Sequence, residues 1–139
     1  MFLTKLGKSD RAFFKVARDI SFLSDHPCRH GAVLVDGHKI ISSGYNSQTR
    51  CSTIQKNIDD RFFNECCHRG TLHAEVDALL PFIRKHQSLP NAILYIYREN
   101  KLGETSLSKP CPRCMKIIKD LGIKKIKYTT ENGFVVEKI

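Results

Sequence analysis

With 139 residues, the chain is the length of one compact domain and long enough to bury a core without disulfide staples. Its apolar share of 41% and charged share of 27% are those of a water-soluble globular protein. No apolar run approaches the ~20 residues that cross a bilayer, and residues 1–10 lack the apolar centre of a secretion signal, so a membrane-spanning or secreted chain is set aside and a cytoplasmic one expected.

The formal charge is +9, and part of it falls in one span, where Lys101, Lys109, Arg113, Lys116, Lys119, Lys124, Lys125 and Lys127 face only Glu104 and Asp120. Such a span attracts a nucleotide phosphate or a polynucleotide backbone if it forms a patch, and is otherwise a solvated surface. Six cysteines in a chain without an export signal read as metal ligands or buried thiols before disulfides.

Neither repeat nor linker interrupts the chain, so residues 1–139 are read as a single domain. Residues 9–24 place Ala12, Phe13, Val16, Ala17, Ile20 and Leu23 at helical spacing, with Ser9 as N-cap. Residues 31–35 form a short apolar strand, Asp36-Gly37 a turn, and residues 39–45 the hairpin partner. Residues 46–70 are polar and irregular, and contain Cys51, Cys66, Cys67 and His68. A helix is expected over 72–85 from Val76, Leu79, Leu80 and Ile83, strained by Pro81. Residues 92–97 are β-branched and aromatic, hence a strand. Residues 112–121 form a helix stopped by Gly122, and residues 124–130 and 134–137 are two more strands. The resulting α-β-β-α-β-α-β-β string implies a five-stranded sheet with helices on its faces. Only Glu131-Asn132-Gly133 joins the last two strands, too short for a parallel crossover, so they form an antiparallel hairpin.

Two segments stand apart: His73-Ala74-Glu75 at one helix start and Pro110-Cys111-Pro112-Arg113-Cys114 at another. Catalytic zinc takes three protein ligands and leaves one position for water. Two cysteines across the first turn of a helix bring their sulfurs to one point, where the exposed N–H groups favour thiolates. One imidazole completes the set, and Glu75 stands close enough to carry protons without being a ligand.

With these motifs the chain resembles the cytidine deaminase superfamily, which carries an H-x-E and P-C-x-x-C signature. The resemblance extends through His30-Gly31-Ala32-Val33-Leu34-Val35, Ser43-Gly44-Tyr45-Asn46, Ser108-Lys109-Pro110 and Gly122-Ile123-Lys124-Lys125-Ile126. It implies a three-layer α-β-α fold with a mixed sheet and Zn2+ on His73, Cys111 and Cys114. Glu75 would be the general acid/base and Asn46 a hydrogen-bond partner of sugar or base. The backbone at Ala74 and at Ser108–Lys109 would receive the exocyclic amine. A homo-oligomer is also an expectation of the resemblance.

The substrate expected is a free cytosine nucleotide or nucleoside, deoxycytidine monophosphate first, because His-Ala-Glu resembles the deoxycytidylate and editing branches. The terminal hairpin instead resembles the free-nucleoside branch, and Gly44-Tyr45-Asn46-Ser47 lacks the Asn-Gly of deoxycytidylate enzymes. The alternative is an editing deaminase acting on cytosine or adenine in single-stranded DNA or RNA. A zinc- and nucleic-acid-binding module without catalysis is a third reading, which the presence of Glu75 opposes. Arg29, Arg50, Lys109 and Arg113 are candidate phosphate ligands. Phe62 and Phe63 beside Arg61 are the nearest approach to a stacking platform. A second, structural zinc on Cys51, Cys66, Cys67 and His68, with Cys28 as a possible addition, is weighed against simple packing.

Overall fold

A computed structural model describes residues 6–49 and 72–139. Its elements are α1 (Lys8–Ser21), β1 (His30–Asp36), β2 (Lys39–Tyr45), α2 (Ala74–Arg84), β3 (Ile93–Arg98), α3 (Pro112–Asp120), β4 (Lys125–Thr130) and β5 (Gly133–Lys138). They form one five-stranded mixed sheet in the order β2-β1-β3-β4-β5. β1 runs antiparallel to β2 and β3, β3 and β4 are parallel, and the C-terminal hairpin pairs β4 with β5 antiparallel. The parallel pair is joined by a crossover through α3, as a parallel connection requires.

The two faces follow from alternation along the central strands. Ala32, Leu34, Leu94 and Ile96 point to one side, where Ala78 and Leu79 of α2 and Ile118 of α3 close a buried core. Val33, Val35, Tyr95 and Tyr97 point to the other, covered by Phe14 and Ala17 of α1. Because both faces are covered, β1 reads as a continuous apolar run rather than an alternating one. The Phe14 ring meets Tyr95 edge-on at 5.1 Å. The result is the expected α-β-α sandwich.

Two glycines let the layers close. A Cβ on Gly31 would collide with the Ala17 carbonyl of α1 and lie 2.8 Å from the Ser21 nitrogen. One on Gly44 would collide with the Ala78 nitrogen of α2 and lie 2.7 Å from the Ala74 carbonyl.

Several local expectations shift. Gly7, not Ser9, occupies the N-cap of α1, and the helix ends at Ser21, leaving Leu23 61% exposed. Leu23 sits at helical spacing in sequence but in a turn in space. The first hairpin turns on Gly37 and His38, with φ of 57° and 67°, rather than on Asp36-Gly37. Both central residues of such a turn need positive φ, and histidine tolerates it better than most. Thr130 pairs with Gly133, so Glu131 and Asn132 alone make the last turn. Pro81 lies exposed inside α2 without ending it. α2 starts two residues later than the periodicity implies, because Leu72 forms a bridge with Ser47: each backbone N–H donates to the other's carbonyl at 2.9 Å. That bridge brings Asn46 and His73, the neighbours of its two members, to the same end of the sheet.

Candidate metal centre

Two helix starts converge on this end of the sheet. His73 is the N-cap of α2 and Cys111 the N-cap of α3, both with extended backbone, and Pro112 follows at the first turn of α3. Proline suits that position because its missing N–H would have no helical partner there. Cys114 stands one turn further on. Leu72, Val76, Leu80 and Ile117 pack beside the two cysteines and lock α2 to α3. His73 Nδ1 lies 3.7 Å from Cys111 Sγ and 3.3 Å from Cys114 Sγ. The three donor atoms fall within 4.8 Å of one another, the one group of this kind among the described residues. Two sulfurs and an imidazole nitrogen form a donor set that fits zinc.

The sulfurs form a coupled pair. Cys111 is held down to about 4, first by the hydrogen bond from Cys114 and also by His73, although burial opposes this. Cys114 is pushed up by the same hydrogen bond and by burial. They share one proton, which a divalent cation would displace.

Glu75, in the first turn of α2, is 6% exposed, with its carboxyl within hydrogen-bond reach of the Cys114 thiol. Burial pushes its pKa above the ordinary carboxylate value, against the opposing pull of His73.

Glu75, His73 and Cys111 open on a cavity of about 120 Å3. Asn46, Ala74, Ser108 and Lys109, the residues expected to meet substrate, line the same cavity. Cys114 is buried behind it.

Two of these side chains are already committed to protein partners. Asn46 Oδ1 accepts from Ser24 Oγ at 2.6 Å and from the His30 backbone N–H at 2.9 Å, and Nδ2 donates to the Cys28 carbonyl at 2.7 Å. That leaves one N–H of Asn46 for anything else. The Ser108 hydroxyl donates to the Ile96 carbonyl at 2.9 Å and accepts from the Thr129 N–H at 2.8 Å, and its backbone N–H donates to the Thr129 carbonyl at 3.0 Å.

The wall also holds His26 and His30, which the sequence reading did not single out as site residues. The signal for them is weak: three histidines among residues 26–38 lie near no recognisable motif. His30 is pushed down to about 4 by its burial, aided by the charges of Arg98, His73 and His26, while the Cys28 carbonyl acts the other way. It is a neutral imidazole at neutral pH.

The basic span does not form a single patch. Arg113 is 1% exposed and is therefore no surface cation, which removes it as a phosphate ligand at the surface. Lys127 turns to the α1 side, 2.7 Å from Asp10. Lys116 lies on α3, on the opposite face, 3.6 Å from Asp120. Lys109 pairs with Glu137 at 3.3 Å. A run of lysines in sequence is divided here by the sheet. Arg29 is exposed in the loop before β1, and Cys28 is a half-buried free thiol. Arg50, Arg61, Phe62, Phe63 and the second metal candidate on Cys51, Cys66, Cys67 and His68 lie outside the described residues. No helix among those described is long and apolar enough to cross a membrane.

A family model described as the cytidine and deoxycytidylate deaminase zinc-binding region matches residues 8–130. Among solved structures, the chain is similar to the dCMP deaminase from the cyanophage S-TIM5 in apo form. Identity is 27% and the TM-score 0.58, with 85% of this chain and 79% of that one covered. In its complex with dCMP and dUMP, the S-TIM5 dCMP deaminase matches at 24% identity and TM-score 0.60, covering 90% of this chain and 83% of that one. The cytidine deaminase from Burkholderia pseudomallei shares the fold at 18% identity and TM-score 0.61, covering 92% of this chain and 91% of that one. No curated protein sequence matches the chain.

Proposed function

The chain belongs to the cytidine and deoxycytidylate deaminase zinc-binding family, and from that membership we propose that it is a zinc-dependent hydrolytic deaminase of a free cytosine nucleotide, dCMP in the first place. The observation that carries this reading is the shared opening of His73, Cys111 and the buried Glu75 on one small cavity. His73, Cys111 and Cys114 would hold the zinc, which would act as a Lewis acid and lower the pKa of a water towards neutrality.

The remaining chemistry falls to the chain's own groups. Glu75 takes a proton from the attacking water and delivers it to N3 of the cytosine as the C4–O bond forms. It then takes the hydroxyl proton of the C4 adduct and hands it to the exocyclic nitrogen, so that the C4–N bond breaks as the C4 carbonyl forms, and ammonia leaves a uracil base behind. The backbone of Ala74 and of Ser108–Lys109 receives the amine. Asn46 lines the same cavity and offers its remaining N–H to the sugar.

Cavity size and charge support a small substrate. A pocket of about 120 Å3 lies below the ~300 Å3 typical of a site enclosing a whole drug-sized ligand. It therefore suits the base alone, with sugar and phosphate at the mouth. The lysines that would track a strand are divided between two faces of the sheet. The 27% identity to a dCMP deaminase favours a monophosphate over a nucleoside.

The test is a deamination panel on the zinc-loaded protein: cytidine, deoxycytidine, their monophosphates, and single-stranded oligonucleotides containing cytosine or adenine. Turnover of deoxycytidine monophosphate above the others is the expected result. Turnover confined to oligonucleotides would replace this reading with the editing deaminase, and binding without turnover would replace it with the non-catalytic module.

A further inference from the structure

One residue between the two cavity histidines fixes their protons. The Cys28 backbone N–H donates to His26 Nδ1 at 2.9 Å, and His30 Nδ1 lies 3.0 Å from the Cys28 carbonyl. A nitrogen lone pair facing a carbonyl oxygen would be repelled, so His30 Nδ1 carries the proton and donates it. The alternative, His30 Nδ1 accepting from Asn46 Nδ2, has a contact of 3.5 Å and is the weaker by geometry. His26 is thereby held as the Nε2–H tautomer and His30 as the opposite one. The same Cys28 carbonyl also accepts from Asn46 Nδ2 at 2.7 Å, which ties the arrangement to the end of β2. His30 is left with one ring nitrogen, Nε2, as a hydrogen-bond acceptor on a residue that lines the cavity.

An acceptor selects a donor. In a cytosine 2′-deoxynucleotide the donors are the exocyclic amine and the 3′-hydroxyl. The amine must lie where its C–N bond breaks, against the His73, Glu75 and Cys111 wall. The sugar then falls to the rest of the lining, which includes His26, His30 and Asn46. We propose that His30 is a specificity-determining residue that accepts a hydrogen bond from the 3′-hydroxyl of the substrate sugar. The hydroxyl accepts in turn from the remaining N–H of Asn46. A sugar hydroxyl both donates and accepts, so it matches the pair where an ether oxygen or a hydrogen atom does not. This assignment rests on the proposed cytosine-nucleotide chemistry of the same cavity.

The experiment compares dCMP with 2′,3′-dideoxycytidine 5′-monophosphate, which lacks only that hydroxyl, in the zinc-loaded wild type, His30→Leu and His30→Gln. Wild type should lose about tenfold or more in kcat/KM on the dideoxy compound. His30→Leu should show a similar loss on dCMP and little further loss on the dideoxy compound. His30→Gln, whose carbonyl oxygen is again an acceptor, should recover part of the discrimination. Zinc content and melting temperature identify a variant that has failed to fold, and His30→Gln, the milder change, then carries the comparison with wild type. An active wild type that does not distinguish the two compounds overturns the assignment, as does discrimination undiminished in His30→Leu. A wild type that converts no cytosine species overturns the functional reading together with it.

Discussion

Replacing Glu75 by glutamine separates proton transfer from metal binding. Glutamine keeps the size of the buried carboxyl and its reach towards Cys114 but cannot shuttle protons. The variant should retain its zinc and its melting temperature while losing about 10²–10⁴-fold in kcat. Steady-state kinetics within tenfold of wild type would remove Glu75 from the mechanism. His30 makes a second prediction at this scale. Burial holds its pKa at about 4, below the ordinary imidazole value of 6.5. Between those values the unfolded chain binds the proton and the folded one does not. Stability is therefore unaffected above about pH 6.5 and falls as the pH drops towards 4. The loss from this group is on the order of 2 kcal/mol by pH 5. Urea unfolding at pH 7 and pH 5 should show that loss in wild type and a shallower one in His30→Gln, and equal losses in both would contradict the assignment. The grouping of His73 with Glu75 and of Cys111 with Cys114 was legible in the sequence because each pair lies within one helix start, where spacing alone fixes proximity. His30 was not, because its place in the cavity depends on Asn46 and Cys28, which only the β1–β2 hairpin brings together.

Helix α2 carries His73 and Glu75, and what holds it against the sheet is the bare backbone of Gly44. A methyl group there would meet the helix backbone at Ala78 and lie 2.8 Å from Asp77 Cβ. Backbone cannot rotate aside, so Gly44→Ala should displace α2 and destabilise the fold by roughly 1–3 kcal/mol. The shift moves His73 away from the cysteines, so zinc content should fall with the melting temperature. At Gly37 nothing lies within 4 Å and φ is +57°. Gly37→Asn should therefore melt close to wild type, since asparagine tolerates that conformation. A Gly44→Ala protein as stable and as zinc-replete as Gly37→Asn would contradict this account of the packing. Element types were readable from periodicity, whereas element ends were not. Residues 22–24 continue the helical spacing of α1, yet Phe22 already caps the helix. Leu72 continues that of α2, yet the bridge to Ser47 takes its backbone. At Leu72 a contact distant in sequence overrides the local pattern, whereas α1 ends in local turns.

For the whole molecule, the two hairpins follow from the strand string and its short connections, but the strand order β2-β1-β3-β4-β5 and the distribution of charge do not follow from the sequence pattern. Lys127 is on an inner strand facing α1 and Arg113 is buried, so among the described residues the basic span is not gathered on one face. A substrate with a single phosphate should accordingly show a shallow dependence of affinity on salt. A strand would show a slope near −0.7 for each phosphate it engages, and such a slope for the species actually turned over would favour the polynucleotide reading. The central claim, that His73, Cys111 and Cys114 hold the zinc with which Glu75 deaminates a cytosine nucleotide, is tested most directly by removing the metal and titrating it back. Chelator-stripped protein should convert no dCMP. Added zinc should restore dUMP and ammonia formation, with activity rising to a plateau at about one equivalent per chain. Full activity after verified metal removal, or no turnover of dCMP at any level of zinc, would contradict the account.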